Sequence, residues 1–152
     1  MSPAAERYFE DYRPGAVFTA GAIAVSEAEI IDFARCYDPQ AMHTDPAAAA
    51  SGRFGGLIAS GWHTAALMMR LFVEHFLSPV SSIASPGIYE VRWLRPVRPG
   101  DVLSIRVTII EAQRSRSRPE RGTVRSFIEV LNQRGEVVMS PKPISLIRCR
   151  PQ

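Results

Sequence analysis

The stretch GWHTAALMMRLFVEHFLSP, from Gly61 to Pro79, constrains the fold more than any other part of the chain. Glycine opens it and proline closes it, and the residues between are compatible with one long helix. Trp62, Ala65, Ala66, Met69, Leu71, Phe72, Val73 and Phe76 spread round nearly every side, leaving Arg70, Glu74 and His75 as a narrow polar strip. A helix that is apolar most of the way round must be covered on most sides. The rest of the chain has to supply that cover.

Beyond Pro86 the segments GIYEVRWL, DVLSIRVTII, GTVRSFIEVL and EVVMSPKPISLIRC are rich in Val, Ile and aromatic residues and partly alternate, which predicts four strands. RPVRPGD (95–101) and NQRG (132–135) read as turns, and Pro141 and Pro143 mark the last strand as an edge or a bulge. Upstream, AVFTAGAIAV (16–25) reads as a strand or extended arm bent at Gly21. Helical pieces followed by a run of strands predict the α+β class, with an antiparallel sheet curved round a buried helix. At 152 residues the chain is expected to form a single domain over 1–152, with 1–11 as a flexible N-terminal arm.

Composition narrows the function. With 46% hydrophobic and 22% charged residues the chain can build a core and behave as an ordinary soluble protein. The 18 basic and 15 acidic side chains leave a scattered +3, which argues against nucleic acid as a partner. Cys36 and Cys149 fit no metal spacing, so no metal is expected. Glu6, Arg7, Glu10, Asp11 and Arg13 deny the N-terminus a signal core, and no run approaches the roughly 18 apolar residues of a membrane span. A cytoplasmic setting with no membrane contact is the simplest expectation.

Between the first strand and the long helix lies the chemistry. SEAEIIDFARCYD carries a capping box in Ser26 and Glu29, and Pro39 ends that helix near Tyr37. The next residues, CYDPQAMHTDP, hold Asp38 and His43 on what reads as a loop, before Asp45 caps a short helix led by Pro46. Asp before Pro is common turn chemistry, and a lone loop histidine is usually a surface group. Taken with GRFGGLIASG they say more. That segment feeds the long helix, whose first amides, near Gly61 and Trp62, lack partners in the helix ladder and can hold a developing oxyanion. An acid, an imidazole and an anion-binding helix start make a proton-transfer site beside a carbonyl.

This stretch, YDPQAMHTDPAAAASGRFGGLIASGWHTAALMMRL, resembles the hydratase motif of the MaoC-like dehydratases, the (R)-specific enoyl-CoA hydratase group with the hotdog fold. The matching positions are Asp38, Gln40, Ala41, Met42, His43 and Asp45, then Gly56, Ile58, Ala59 and Gly61, and the strand region from Trp93 to Val138 looks like the family's sheet. The resemblance implies a hotdog domain and a homodimer or higher homo-oligomer. It also implies an acyl-CoA thioester substrate and no cofactor beyond the coenzyme A that the substrate carries. By position it makes Asp38 and His43 the catalytic pair and the Gly61 amide the oxyanion donor. Gln40, Gly56, Ser60 and Trp62 become candidate substrate contacts. The expected activity is that of a hydro-lyase, adding water reversibly across C2–C3 of a trans-2-enoyl thioester. Gln40 and Ala41 depart from the family's asparagine and proline.

Other residues read more plainly. His63 is expected to be packed, Met68 and Met69 to fill core or line an acyl tunnel, and Arg114, Arg116, Arg118 and Arg121 to be a solvated connection that could also meet phosphate. Two rivals stay open: a hotdog thioesterase and a non-catalytic acyl-binding subunit. The presence of both Asp38 and His43 favours hydration over either.

Overall fold

Ser26 sets the first helix. Its hydroxyl accepts the Glu29 amide and the Glu29 carboxylate accepts the Ser26 amide, each at 3.2 Å, which closes the expected capping box. The computed structural model describes residues 4–152. Helix α1 (Glu27–Tyr37) buries Ile30 and Ala34 and releases Asp38 with φ −153° ahead of Pro39. The following stretch is not a plain loop. Ala41–Thr44 form one helical turn, α2, because the Gln40 carbonyl accepts both the His43 amide at 2.9 Å and the Thr44 hydroxyl at 3.1 Å. Asp45 then caps α3 (Pro46–Ala50) by accepting the Ala47 and Ala48 amides at 3.0 and 3.1 Å.

One antiparallel sheet follows, in the order β1-β3-β4-β5-β2, with β1 (Val17–Ala24), β2 (Ser82–Trp93), β3 (Val102–Arg114), β4 (Arg121–Leu131) and β5 (Val137–Arg148). The α+β class is as expected, with two differences in detail. Strand β2 begins before Pro86, since an edge strand tolerates a residue without an N–H. Strand β5 is interior rather than an edge, and the alternative expectation of a bulge holds, since its register with β2 shifts between the Ile88/Pro143 and Val91/Pro141 pairs. Its two prolines fall where the β4–β5 ladder is interrupted, between the Arg125/Ile144 and Val130/Met139 pairs. In β1 the register shifts between Ala20 and Ile23, and Gly21 sits there at φ +89°, where a Cβ would run into the Leu71 side chain.

Helix α4 (Gly61–His75) presses Met68, Leu71 and Phe72 into a core shared with Leu103, Ile105 and Ile128. Its other side, carrying Trp62, Met69 and Val73, is open in a single chain, so the helix is covered on one side only. Edge strand β2 is similarly bare, with Ile83, Ile88 and Tyr89 exposed.

The N-terminal segment is docked over residues 4–11; the first three residues of the expected arm lie outside the described ones. Arg7 donates to the carbonyls of His75 and Phe76 at 3.2 and 3.5 Å, supplying donors that the end of α4 lacks. The Tyr12 hydroxyl donates to Phe76 at 2.8 Å, and burial pushes its phenol up to about 12. Ser81 closes the clamp by donating to the Arg7 carbonyl.

Candidate active site

Leu57, Ile58, Ala59 and Ser60 are all buried, and this short stretch organises everything around it. The Ile58 amide donates to Met42 at 3.2 Å and the Ala59 amide to Val97 at 2.8 Å, tying α2 to the turn after β2. The Ile58 carbonyl faces His43 Nδ1 at 2.8 Å. The Ser60 hydroxyl donates to Asp38 Oδ2 at 2.7 Å. One buried stretch therefore orients both members of the expected pair, and His43 Nε2 stands 3.3 Å from Asp38 Oδ2.

Asp38 carries a donor on each oxygen. Gln40 Nε2 donates to Oδ1 at 2.7 Å, and Ser60 holds Oδ2. The Gln40 bond, then the Ser60 bond, outweigh burial and hold the carboxyl below the usual carboxylate range, with His43 adding a smaller push the same way. The group is a carboxylate at neutral pH. A carbonyl oxygen only accepts, so His43 Nδ1 carries a hydrogen. In the neutral ring Nε2 is then the nitrogen with the lone pair, 3.3 Å from an anion that would stabilise it once protonated.

Asp38 and His43 open onto a cleft of about 360 Å³ that Gly61, Trp62 and the segment from Trp93 to Val97 also line. Gly61 is the first residue of α4, where the helix ladder leaves the amide unreached. The Trp62 amide, expected to be a second anion donor, is instead taken by the Ser60 hydroxyl at 3.3 Å. Trp62 contributes its side chain, 61% exposed at the mouth. Ser60 acts on Asp38 from beneath, and Gln40 also reaches Asp38 rather than the cleft wall. Gly56 is off the wall as well; a Cβ there would sit 3.4 Å from Arg98, which donates to the Phe54 carbonyl at 2.6 Å.

Trp93 is the site residue that the motif does not contain. Its Nε1 donates to the Gly61 carbonyl at 2.9 Å, and its ring meets Trp62 edge-on with centroids 5.2 Å apart. Nothing in the local pattern around WLRPVRPGD says that the end of an edge strand will lie over a glycine more than thirty residues earlier. His63, as expected, is packed: it stacks on Phe33 at 4.8 Å, and burial lowers its pKa. The arginines of 114–121 sit on the β3–β4 hairpin, at the far end of β3 from the 95–101 turn, and Arg114 donates to Pro119 within that hairpin. Among the described residues no cluster of three or more His, Cys, Asp and Glu side chains could hold a metal ion. No helix among them is long and apolar enough to cross a membrane.

A hotdog sheet bearing this pair beside a helix N-terminus defines the class, and the comparisons place the chain within it. The family described as MaoC like domain matches residues 11–130, and the chain belongs to that family. A solved MaoC-like dehydratase from Rhodospirillum rubrum is 41% identical with a TM-score of 0.89, the match covering 96% of this chain and 99% of that one. A structure described as a monoamine oxidase regulatory protein, from Archaeoglobus, is 33% identical with a TM-score of 0.83, over 95% of this chain and 96% of its own. The uncharacterized protein YdeM of Bacillus subtilis is 33% identical over 82% of this chain and 87% of its own length. The R-hydratase PhaJ1 of Pseudomonas aeruginosa, at 23% identity and TM-score 0.75 over 94% of this chain and 86% of its own, shares the fold.

Proposed function

We propose that the protein is a hydro-lyase that adds water reversibly across the C2–C3 double bond of a trans-2-enoyl thioester. The observation that carries this reading is the ionised Asp38 beside His43, whose Nδ1 is held by the Ile58 carbonyl, with Gly61 at the start of α4 lining the same cleft. In the forward direction a water sits on the cleft side of the pair, within hydrogen-bond reach of both Asp38 and His43. His43 Nε2 takes one of its protons as the oxygen bonds to C3, and the Asp38 carboxylate stabilises the imidazolium. Electron density moves onto the thioester oxygen, where the Gly61 amide receives it. Nε2 then returns the proton to C2, giving the 3-hydroxyacyl thioester and restoring both side chains. General acid–base groups contribute on the order of 10²–10⁴-fold and an oxyanion donor about 10²–10³-fold.

The reading takes coenzyme A as the carrier and needs no other cofactor. It makes the working unit a homodimer, for which the open apolar side of α4 and the bare edge of β2 are the supporting features. It puts the protein in the cytoplasm, where two free cysteines, Cys36 and Cys149, are at home. The test is the loss of enoyl absorbance with crotonyl-CoA and with longer and branched analogues, with free thiol followed on the same samples. Enoyl loss without thiol release is the expected result. Thiol release would make the protein a thioesterase and sink the proposal.

A further inference from the structure

We infer that Trp93 is a positioning residue, which restrains the first residue of α4 and so holds the Gly61 amide steady beside the cleft. What that amide does rests on the proposed function; the contact itself does not. Glycine is the most conformationally free residue, and at the first position of a helix its amide is tied to nothing in the ladder. An oxyanion donor, however, must be aimed before charge develops.

Two features of one indole provide the restraint. Its Nε1 donates to the Gly61 carbonyl at 2.9 Å, which pins the peptide leaving Gly61. Its ring also fills the space over the glycine: a Cβ at position 61 would lie 2.5 Å from Nε1 and Cε2. The missing side chain is thus what lets the ring seat. The indole is braced in turn. Trp62 meets it edge-on, and the next two amides, of Leu94 and Arg95, both donate to the Val138 carbonyl at 2.9 and 3.3 Å. Four residues on, Val97 accepts the Ala59 amide, so the segment runs from β5 back to the buried stretch that orients Asp38 and His43. Since Trp93 is about half exposed, its bond adds little to folding stability, so its cost in a variant should appear in turnover.

The test compares wild type with Trp93→Phe, which keeps a ring over the glycine but loses the N–H. With crotonyl-CoA as the probe, kcat is expected to fall about 10-fold with KM changed less than about twofold, a fraction of the loss seen when such a donor is removed outright. In ¹⁵N relaxation measurements on the free protein, the Gly61 amide is expected to lose order in the variant while the rest of α4 keeps its own. An unchanged kcat, a change confined to KM, or a fall in kcat with the Gly61 amide equally ordered would each overturn the inference. Should wild type fail to hydrate any enoyl thioester, the proposed function falls. The order of the Gly61 amide in the two proteins still decides the positioning role.

Discussion

His43 Nδ1 and the Ile58 carbonyl oxygen stand 2.8 Å apart, across fifteen residues of chain, and this one bond decides which imidazole nitrogen is available for chemistry. Because the carbonyl accepts the Nδ1 hydrogen, the nitrogen that carries the lone pair in the neutral ring is the one turned toward Asp38. The bond also couples α2 to the stretch leading into α4, so acid, imidazole and helix start are positioned together.

Asp38 gives the pH dependence. Its donors, Gln40 foremost and then Ser60, lower its pKa, so the ionised form that the reaction needs persists below the ordinary carboxylate range. Gln40→Ala removes the larger contribution and lets that pKa rise. The acid limb of kcat/KM is expected to move to higher pH in the variant, with the activity near neutrality changed much less. A pH–rate profile of the two proteins checks this; superimposable acid limbs would show that Gln40 does not hold the carboxylate.

Gly61→Ala tests the helix start. The added Cβ would lie 2.5 Å from the Trp93 ring, so ring or helix must shift. Overpacking of this kind costs about 1–3 kcal/mol. Thermal unfolding is expected to drop by several degrees, and kcat by about 10²-fold if the amide is turned from the thioester oxygen. Combining it with Trp93→Ala, which empties the space, should recover most of the lost stability, a coupling that a double-mutant cycle measures.

Much of this was legible in the chain itself, and the reasons are local. The capping box at Ser26 and Glu29, the stop at Pro39, the Asp45 cap and the bend at Gly21 depend on residues a few positions apart, and all are found. The pair Asp38 and His43 is likewise short-range, with its spacing carried by α2. What escaped was long-range. That β5 is interior despite two prolines depends on which strands flank it. That Trp93 caps Gly61, and that Arg7 closes the end of α4, depend on contacts 32 and 68 residues apart in sequence. The openness of one side of α4 could not be read from an apolar pattern, which says that a face needs cover but not whether the same chain provides it.

His63 gives a stability signature separate from catalysis. The unfolded imidazole titrates near 6.5, and burial lowers the folded value, with Glu29 opposing only in part. Within that window the unfolded chain binds a proton that the native state excludes, so stability is full above about 6.5 and falls as the pH drops toward the folded pKa. His63→Phe keeps a ring against Phe33 and removes the titration. Denaturant unfolding between pH 5 and 8 is expected to show a shallower acid decline in the variant, whereas parallel curves would place that decline elsewhere.

Arg7 tests the N-terminal clamp. Its guanidinium meets the last carbonyls of α4 and lies 4.6 Å from the Phe18 ring centroid. Losing charged hydrogen bonds of this kind costs about 1.5–3 kcal/mol. For a chain of this length that is roughly 3–12 °C in Tm. Arg7→Ala should therefore unfold earlier in a thermal scan yet turn over normally well below its midpoint, since the clamp is at the other end of α4 from the cleft.

The measurement that tests the central claim most directly is hydration of crotonyl-CoA, or of the best enoyl thioester found, by Asp38→Asn and His43→Ala beside wild type, with unfolding curves on all three. The account predicts that both variants stay folded and each loses about 10²–10⁴-fold in kcat, the range of a positioned acid–base group. It also predicts that the double variant loses little more than either single one, because the two side chains act as a unit. Near-wild-type turnover in either folded variant would contradict the account, because water would then be added without the pair that the fold brings together.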